Sequence, residues 1–248
     1  MSDSQLSRPR GGGPSWTRTA VIVFAKDMAI EARTREIVTT AGFFAALVAI
    51  LASVAFYAGP ETTTRVAPGA MWLAIAFASI LALSRSWQRE REEGALTGLL
   101  VAPVARSAIF FGKALGVFTF VTLVECIVVP VVALLFHVEL LDVLGALTCV
   151  LLLGTVGVAA TGTLFGAMTV RTGARELVLA SVLFPLLTPA LVSGVAATRE
   201  IFALAQSMKP PPAAAQLAEV SDYVGLLAIF SLVGLVGGIT FFGVLIDE

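Results

Sequence analysis

Few residues in this chain could do chemistry. One histidine, His137, and two cysteines, Cys126 and Cys149, are the whole supply of imidazole and thiol ligands in 248 residues. A structural or catalytic zinc site draws three or four ligands at matched spacing from such residues. Neither cysteine stands in the CxxCH arrangement that attaches haem covalently. ATP chemistry needs a GxxxxGK[ST] loop to cradle phosphates, and none is present; nor is there a Ser, His and Asp set with plausible geometry for nucleophilic catalysis. The chain is therefore read as a non-enzyme that binds no metal or cofactor of its own. His137 reads as a solvated loop histidine, with axial haem ligation as the rarer alternative. The two cysteines read as small apolar packing groups.

One titratable residue is out of place. Glu125 falls in a long apolar run, where an ionised carboxylate costs on the order of 2.5 kcal/mol or more. It must be protonated or turned toward a partner, and Thr122 and the carbonyl freed by Pro130 are candidates. Two readings stay open: a gate or polar tether between helices, or a neutral acid that only pins packing.

The elements that hold these residues follow from composition. Apolar residues make up 58% and charged residues 13%, about half the charged share of a soluble domain. Mean hydropathy is +0.95, too high for a soluble enzyme or a disordered linker. With 16 Lys and Arg against 17 Asp and Glu, there is no basic surface for nucleic acid. A bilayer span needs about 20 mostly apolar residues in a helix. Six stretches qualify: 37–59, 66–84, 114–136, 143–168, 177–198 and 223–246. The expected fold is an all-α integral membrane protein with six transmembrane helices.

Lys and Arg set the orientation. A cytoplasmic N-terminus places Arg8, Arg10, Arg18, Lys26, Arg33, Arg35, Arg85, Arg89, Arg91, Arg106, Lys113, Arg171 and Arg175 inside, against Arg65, Arg199 and Lys209 outside. Both termini are then cytoplasmic. Tyr57 and Trp72 fall near the outer interface and Trp87 near the inner one, as an aromatic belt would have them. Residues 1–15 are polar and Gly/Pro-rich, a composition expected to be disordered, and no cleavable signal peptide is read there. Ser15 can cap a helix over 16–36. Its stripe of Trp16, Ala20, Val21, Phe24 and Met28 predicts an amphipathic interfacial elbow feeding span one. Pro130, Pro185 and Pro189 invite kinks. Gly112/Gly116, Gly162/Gly166 and Gly234/Gly238 have the GxxxG spacing that permits close helix approach.

Two further segments look like contact surfaces. After span two the chain reads Arg89, Glu90, Arg91, Glu92, Glu93, Gly94, then Leu96, Leu99 and Leu100 before Pro103. A short cytoplasmic helix over 92–101 would present the leucines on one face, either to a partner subunit or to the lipid interface. Beyond span five, Ile201, Phe202, Leu204, Ala205 and Met208 recur at helical spacing ahead of Pro210-Pro211-Pro212, which predicts a short interfacial helix open to outer-face partners.

These segments carry a resemblance. The run Ala67-Pro68-Gly69-Ala70-Met71-Trp72 resembles the opening of the second span in the CcmB family of cytochrome c maturation. The likeness continues through Leu83-Ser84-Arg85-Ser86, through Arg89 to Leu96, and through Leu99 to Val104. Further pieces are Arg106 to Lys113, Leu152 to Thr155 and Leu183 to Pro189. In order, they cover nearly the whole chain after residue 16. The E-x-E-x-G-x-L-x-x-L-L part is shared across ABC type-2 permeases. The resemblance implies a permease-like subunit of an ABC complex in the bacterial inner membrane, working as a homodimer. Its partners would be the ATPase CcmA, CcmC, CcmD and the haem chaperone CcmE, with ATP in the ATPase and haem carried by partner proteins. It makes 92–101 the helix that couples to the ATPase, and 201–208 a contact for CcmC or the chaperone. The residues alone also allow another ABC type-2 exporter of lipid, polysaccharide or drug, or a secondary transporter or scaffold.

Overall fold

The structure is a computed structural model and describes residues 15–56, 60–93, 98, 103–172, 176–206 and 210–247. Eight helices and no strand occur among the described residues: α1 Trp16–Thr34, α2 Glu36–Ala55, α3 Pro60–Glu93, α4 Arg106–Phe136, α5 Leu140–Thr172, α6 Glu176–Ala205, α7 Ala213–Glu219 and α8 Ser221–Asp247. Six of them (α2 to α6 and α8) are long and apolar enough to cross a membrane. Their outward residues are apolar: Phe43, Leu51 and Val54 on α2, and Ile229, Leu232, Val233 and Val236 on α8, are all exposed. In water such a surface would aggregate, and in lipid it is solvated.

The helices overrun the expected spans. At 34 residues α3 is about 50 Å long, against a hydrocarbon core of about 30 Å. Span two was expected to end at Ser84, but no residue from Arg85 to Glu93 breaks a helix, and Gln, Arg and Glu favour one. Likewise α4 starts at Arg106, well before Ala114. The three prolines expected to kink spans lie inside continuous helices, Pro130 in α4, Pro185 and Pro189 in α6.

Two tryptophans expected at the interfaces are buried instead. Trp72 and Trp87 are 1% and 2% exposed. Glycines on facing helices make the room: a Cβ on Gly154 would stand 2.7 Å from the Trp72 ring, and Gly166 faces the Trp87 indole. Trp72 Nε1 donates to Thr198 Oγ1 at 2.9 Å, so the ring's polar edge is satisfied inside the bundle. Tyr57 lies outside the described residues. The cysteines depart the other way: Cys126 and Cys149 are exposed on the bundle's flank.

The expected helix over 201–208 is not a separate element. Nothing between Thr198 and Ala205 interrupts α6, so the stripe continues that helix's inner face, and Ile201 and Phe202 are buried at 0% and 4% exposure. They are core residues here rather than an outer contact surface, and Met208 is outside the described residues. The short helix at this end is α7, held to α5 by Gln216, whose Nε2 donates to the Asp142 carbonyl at 2.8 Å.

Candidate functional site

At one end of the bundle, α1, α3 and α4 meet. Ser15 caps α1 as expected, its Oγ accepting from the Arg18 N–H. The protein-facing side of α1 is, apart from Ala20, distinct from the apolar stripe expected to meet the membrane. It is Thr19, Ala20, Val23, Asp27 and Glu31, while Trp16, Val21 and Ile22 are exposed. The reason lies across the interface. Gly112 and Gly116 open a groove on α4, and small residues of α1 seat in it. A Cβ on Gly112 would come 2.6 Å from the Ala20 carbonyl oxygen, a backbone atom. We expect Gly112→Ala to destabilise the protein by about 1–3 kcal/mol, as overpacking does. Thermal unfolding in detergent measures it, and an unchanged midpoint would mean that α1 is not seated there.

This seating brings ionisable groups together. Lys113 of α4 is buried, and its Nζ stands 3.0 and 2.9 Å from the two carboxylate oxygens of Asp27 in α1. The same ammonium donates to Glu90 Oε1 of α3, and so does Lys26 of α1. Lys26 also lies 3.4 Å from Asp27. The Trp87 ring is 5.8 Å from Lys113 Nζ and adds a cation–π contact. Burial alone would lower the Lys26 pKa, but the hydrogen bond to Glu90 and the nearby Asp27 charge raise it above its ordinary 10.5. The pairing therefore contributes fully at neutral pH and is lost only as the pH climbs through that raised value.

A second set of charges holds the elbow between α1 and α2. Arg35 turns the chain in the left-handed conformation, φ 53°. It offers no side-chain cap to α2, and Glu31 takes that role: its Oε1 accepts from the Val38 N–H at 2.9 Å. Arg89 reaches from α3 to Glu31 at 3.7 Å and to Glu36 at 3.2 Å, and Arg85 lies 3.7 Å from Glu36. Lys26, Arg85, Arg89 and Lys113 thus face Asp27, Glu31, Glu36 and Glu90. Buried charges survive only with such pairing.

Several of these roles were not visible in sequence. Arg89 and Glu90, expected at the rim of a docking surface, are turned inward. Arg91 and Glu92 are exposed at the end of α3. Lys26 and Lys113 had served only to orient the chain, and Asp27 and Glu31 had been given no role. The usable signal was Lys113 between Gly112 and Gly116 at the head of an apolar run, where a lone cation needs an anion. Gly94, Leu96, Leu99 and Leu100 of the expected coupling helix lie outside the described residues, and of Glu93 only the backbone is described.

Glu125 is apart from this cluster. It is buried in α4, and its Oε1 accepts from Thr155 Oγ1 of α5. The expected partner Thr122 has its Oγ1 buried without one. His137 ends α4 in the left-handed conformation, φ 56°, exposed beside a cavity of about 330 Å³ that Phe202 and Gln206 also line.

Comparison with known proteins extends the picture. The model of the family described as CcmB protein matches residues 18–230. Heme exporter protein B of Bradyrhizobium diazoefficiens is 28% identical over 158 residues, 63% of this chain and 71% of that relative. Heme exporter protein B of Rhodobacter capsulatus is 32% identical over 152 residues, covering 60% and 69% of the two chains. That of Paracoccus denitrificans is 32% identical over 148 residues, 59% and 67%.

Proposed function

Because this chain belongs to the CcmB family, we propose that it is the membrane subunit of an ATP-driven complex for haem export, or haem-chaperone release, in c-type cytochrome maturation. It sits in the bacterial inner membrane as a multi-pass protein with both termini in the cytoplasm. The match over residues 18–230 carries this reading, and the likeness to heme exporter proteins supports its substrate.

The chain works as a transmitter. ATP is hydrolysed by a partner of the CcmA type, and haem is handled by CcmC, CcmD and the chaperone CcmE. The segment joining Glu93 to Arg106, with Leu96, Leu99 and Leu100, docks the ATPase. What supports this is the anchoring of its two flanks. The end of α3 and the start of α4 are tied to each other through Glu90 and Lys113, and both are tied to α1 through Lys26 and Asp27. A push on the segment therefore moves three helices together.

The test is purification of the tagged chain from membranes that also express the neighbouring nucleotide-binding subunit. We expect the two to elute together, and cytochrome c maturation to fail when this chain is deleted. Elution without any nucleotide-binding subunit would overturn the assignment. Orientation is tested separately, by cysteines introduced into a chain lacking Cys126 and Cys149. Cysteines at 139 and 210 should react with an impermeant maleimide from outside, and one at 92 only after the membrane is opened; all three positions are exposed. Outside labelling at 92 would reverse the topology.

A further inference from the structure

Between α4 and α5, away from the charged end, a cavity of about 240 Å³ opens on the flank of the bundle, past the exposed residues Cys126, Leu144 and Leu152. Its wall is apolar, but hydrogen-bonding groups converge on it. Glu125 is buried there with one oxygen accepting from Thr155. The Thr122 hydroxyl is buried and has no partner. The Cys126 carbonyl, four residues before Pro130, faces a residue with no N–H to give it. An apolar cleft with a few convergent polar groups is the form a small-molecule site takes. No Lys or Arg lines it, which disfavours an anion. Its volume is below the usual range of about 300–1,000 Å³ for drug-sized ligands, so it suits one slender chain.

We propose that this groove binds a neutral, hydroxyl-bearing amphiphile that enters sideways from the bilayer. The ligand's hydroxyl donates to the Glu125 carboxyl, and its chain runs along the leucines of α5. This site is independent of the assignment to haem export and of the charged end.

The experiment uses the full chain in lipid vesicles with dicyclohexylcarbodiimide, an apolar reagent that dissolves in the bilayer. The carboxyl oxygen bonds to the central carbon of the reagent and the acid proton passes to one nitrogen. The acyl group then migrates to nitrogen, leaving a stable N-acylurea with no other reactant. We expect the label on Glu125 by peptide mass spectrometry, and none there in Glu125→Gln. Dodecanol should slow labelling several-fold, and dodecane of the same length should not. Leu144→Trp narrows the groove without touching the acid and should slow labelling with an unchanged elution profile. Equal slowing by dodecane would mean that any acyl chain fills the groove. That result, an absent label, no effect of dodecanol or no effect of Leu144→Trp each overturns the proposal.

Discussion

Lys113→Met will cost the folded protein about 3–5 kcal/mol, the penalty for removing one partner from a buried ionic group. Methionine fills nearly the same volume but leaves Asp27 and Glu90 buried with no cation between them. Lys26 is about a third exposed and already bonded to Glu90. It can compensate in part, which favours the lower end of that range. The neutral triple variant Asp27→Asn, Glu90→Gln, Lys113→Met should recover most of the loss, because replacing a whole buried ionic set by neutral groups is often close to free. Thermal or denaturant unfolding in detergent gives both numbers. If Lys113→Met unfolds at the native midpoint, the junction of α1, α3 and α4 does not depend on these charges. If the triple variant is no better than the single, the loss came from packing around the lysine stem.

On the proposed docking of the Glu93–Arg106 segment to an ATPase, Leu99→Asp will release that subunit in a pull-down and stop cytochrome c maturation, with membrane insertion unchanged. A leucine fully buried at an interface contributes about 1.5–3 kcal/mol. A carboxylate in the same cleft adds a desolvation cost of several kcal/mol unless it finds a cation, so together they exceed what a docking contact of this size can lose. A helix resting on the membrane surface gives a different result, because its leucines would contact lipid, and the ATPase would still co-purify. The flanking charges divide accordingly. Substituting Glu90 should lower stability first, since it is held by Lys26 and Lys113. Substituting exposed Glu92, whose hydrogen bond is to Gln88 of its own helix at 2.9 Å, should alter docking with little effect on folding.

The sequence by itself determined the helices and the bilayer they are built for. Apolar runs of about 20 residues have one stable form in lipid, so six spans, the elbow helix capped by Ser15, and even the close-approach glycines could be read from spacing. Which surface meets which is a property of pairs, and only the tertiary structure decided it. The α1 stripe of Trp16, Ala20, Val21, Phe24 and Met28 marked a face for the membrane, and Trp16 and Val21 stay exposed. Only packing decided that Ala20, Val23 and Asp27 seat against Gly112 and Gly116. Trp72 and Trp87 had the composition of interface anchors, but glycines on α5 and α6 opened slots for them inside the bundle. The stripe at 201–208 looked like a surface, and α6 carried its first half into the core. Glu125 took its partner from a residue thirty positions away rather than one turn away. Most of all, Lys26 and Asp27 on α1, Glu90 on α3 and Lys113 on α4 come from three segments far apart in the chain. Each is an ordinary membrane-edge charge on its own helix. Only packing to within 4 Å, with Asp27, Glu90 and Lys113 buried, makes their pairing obligatory.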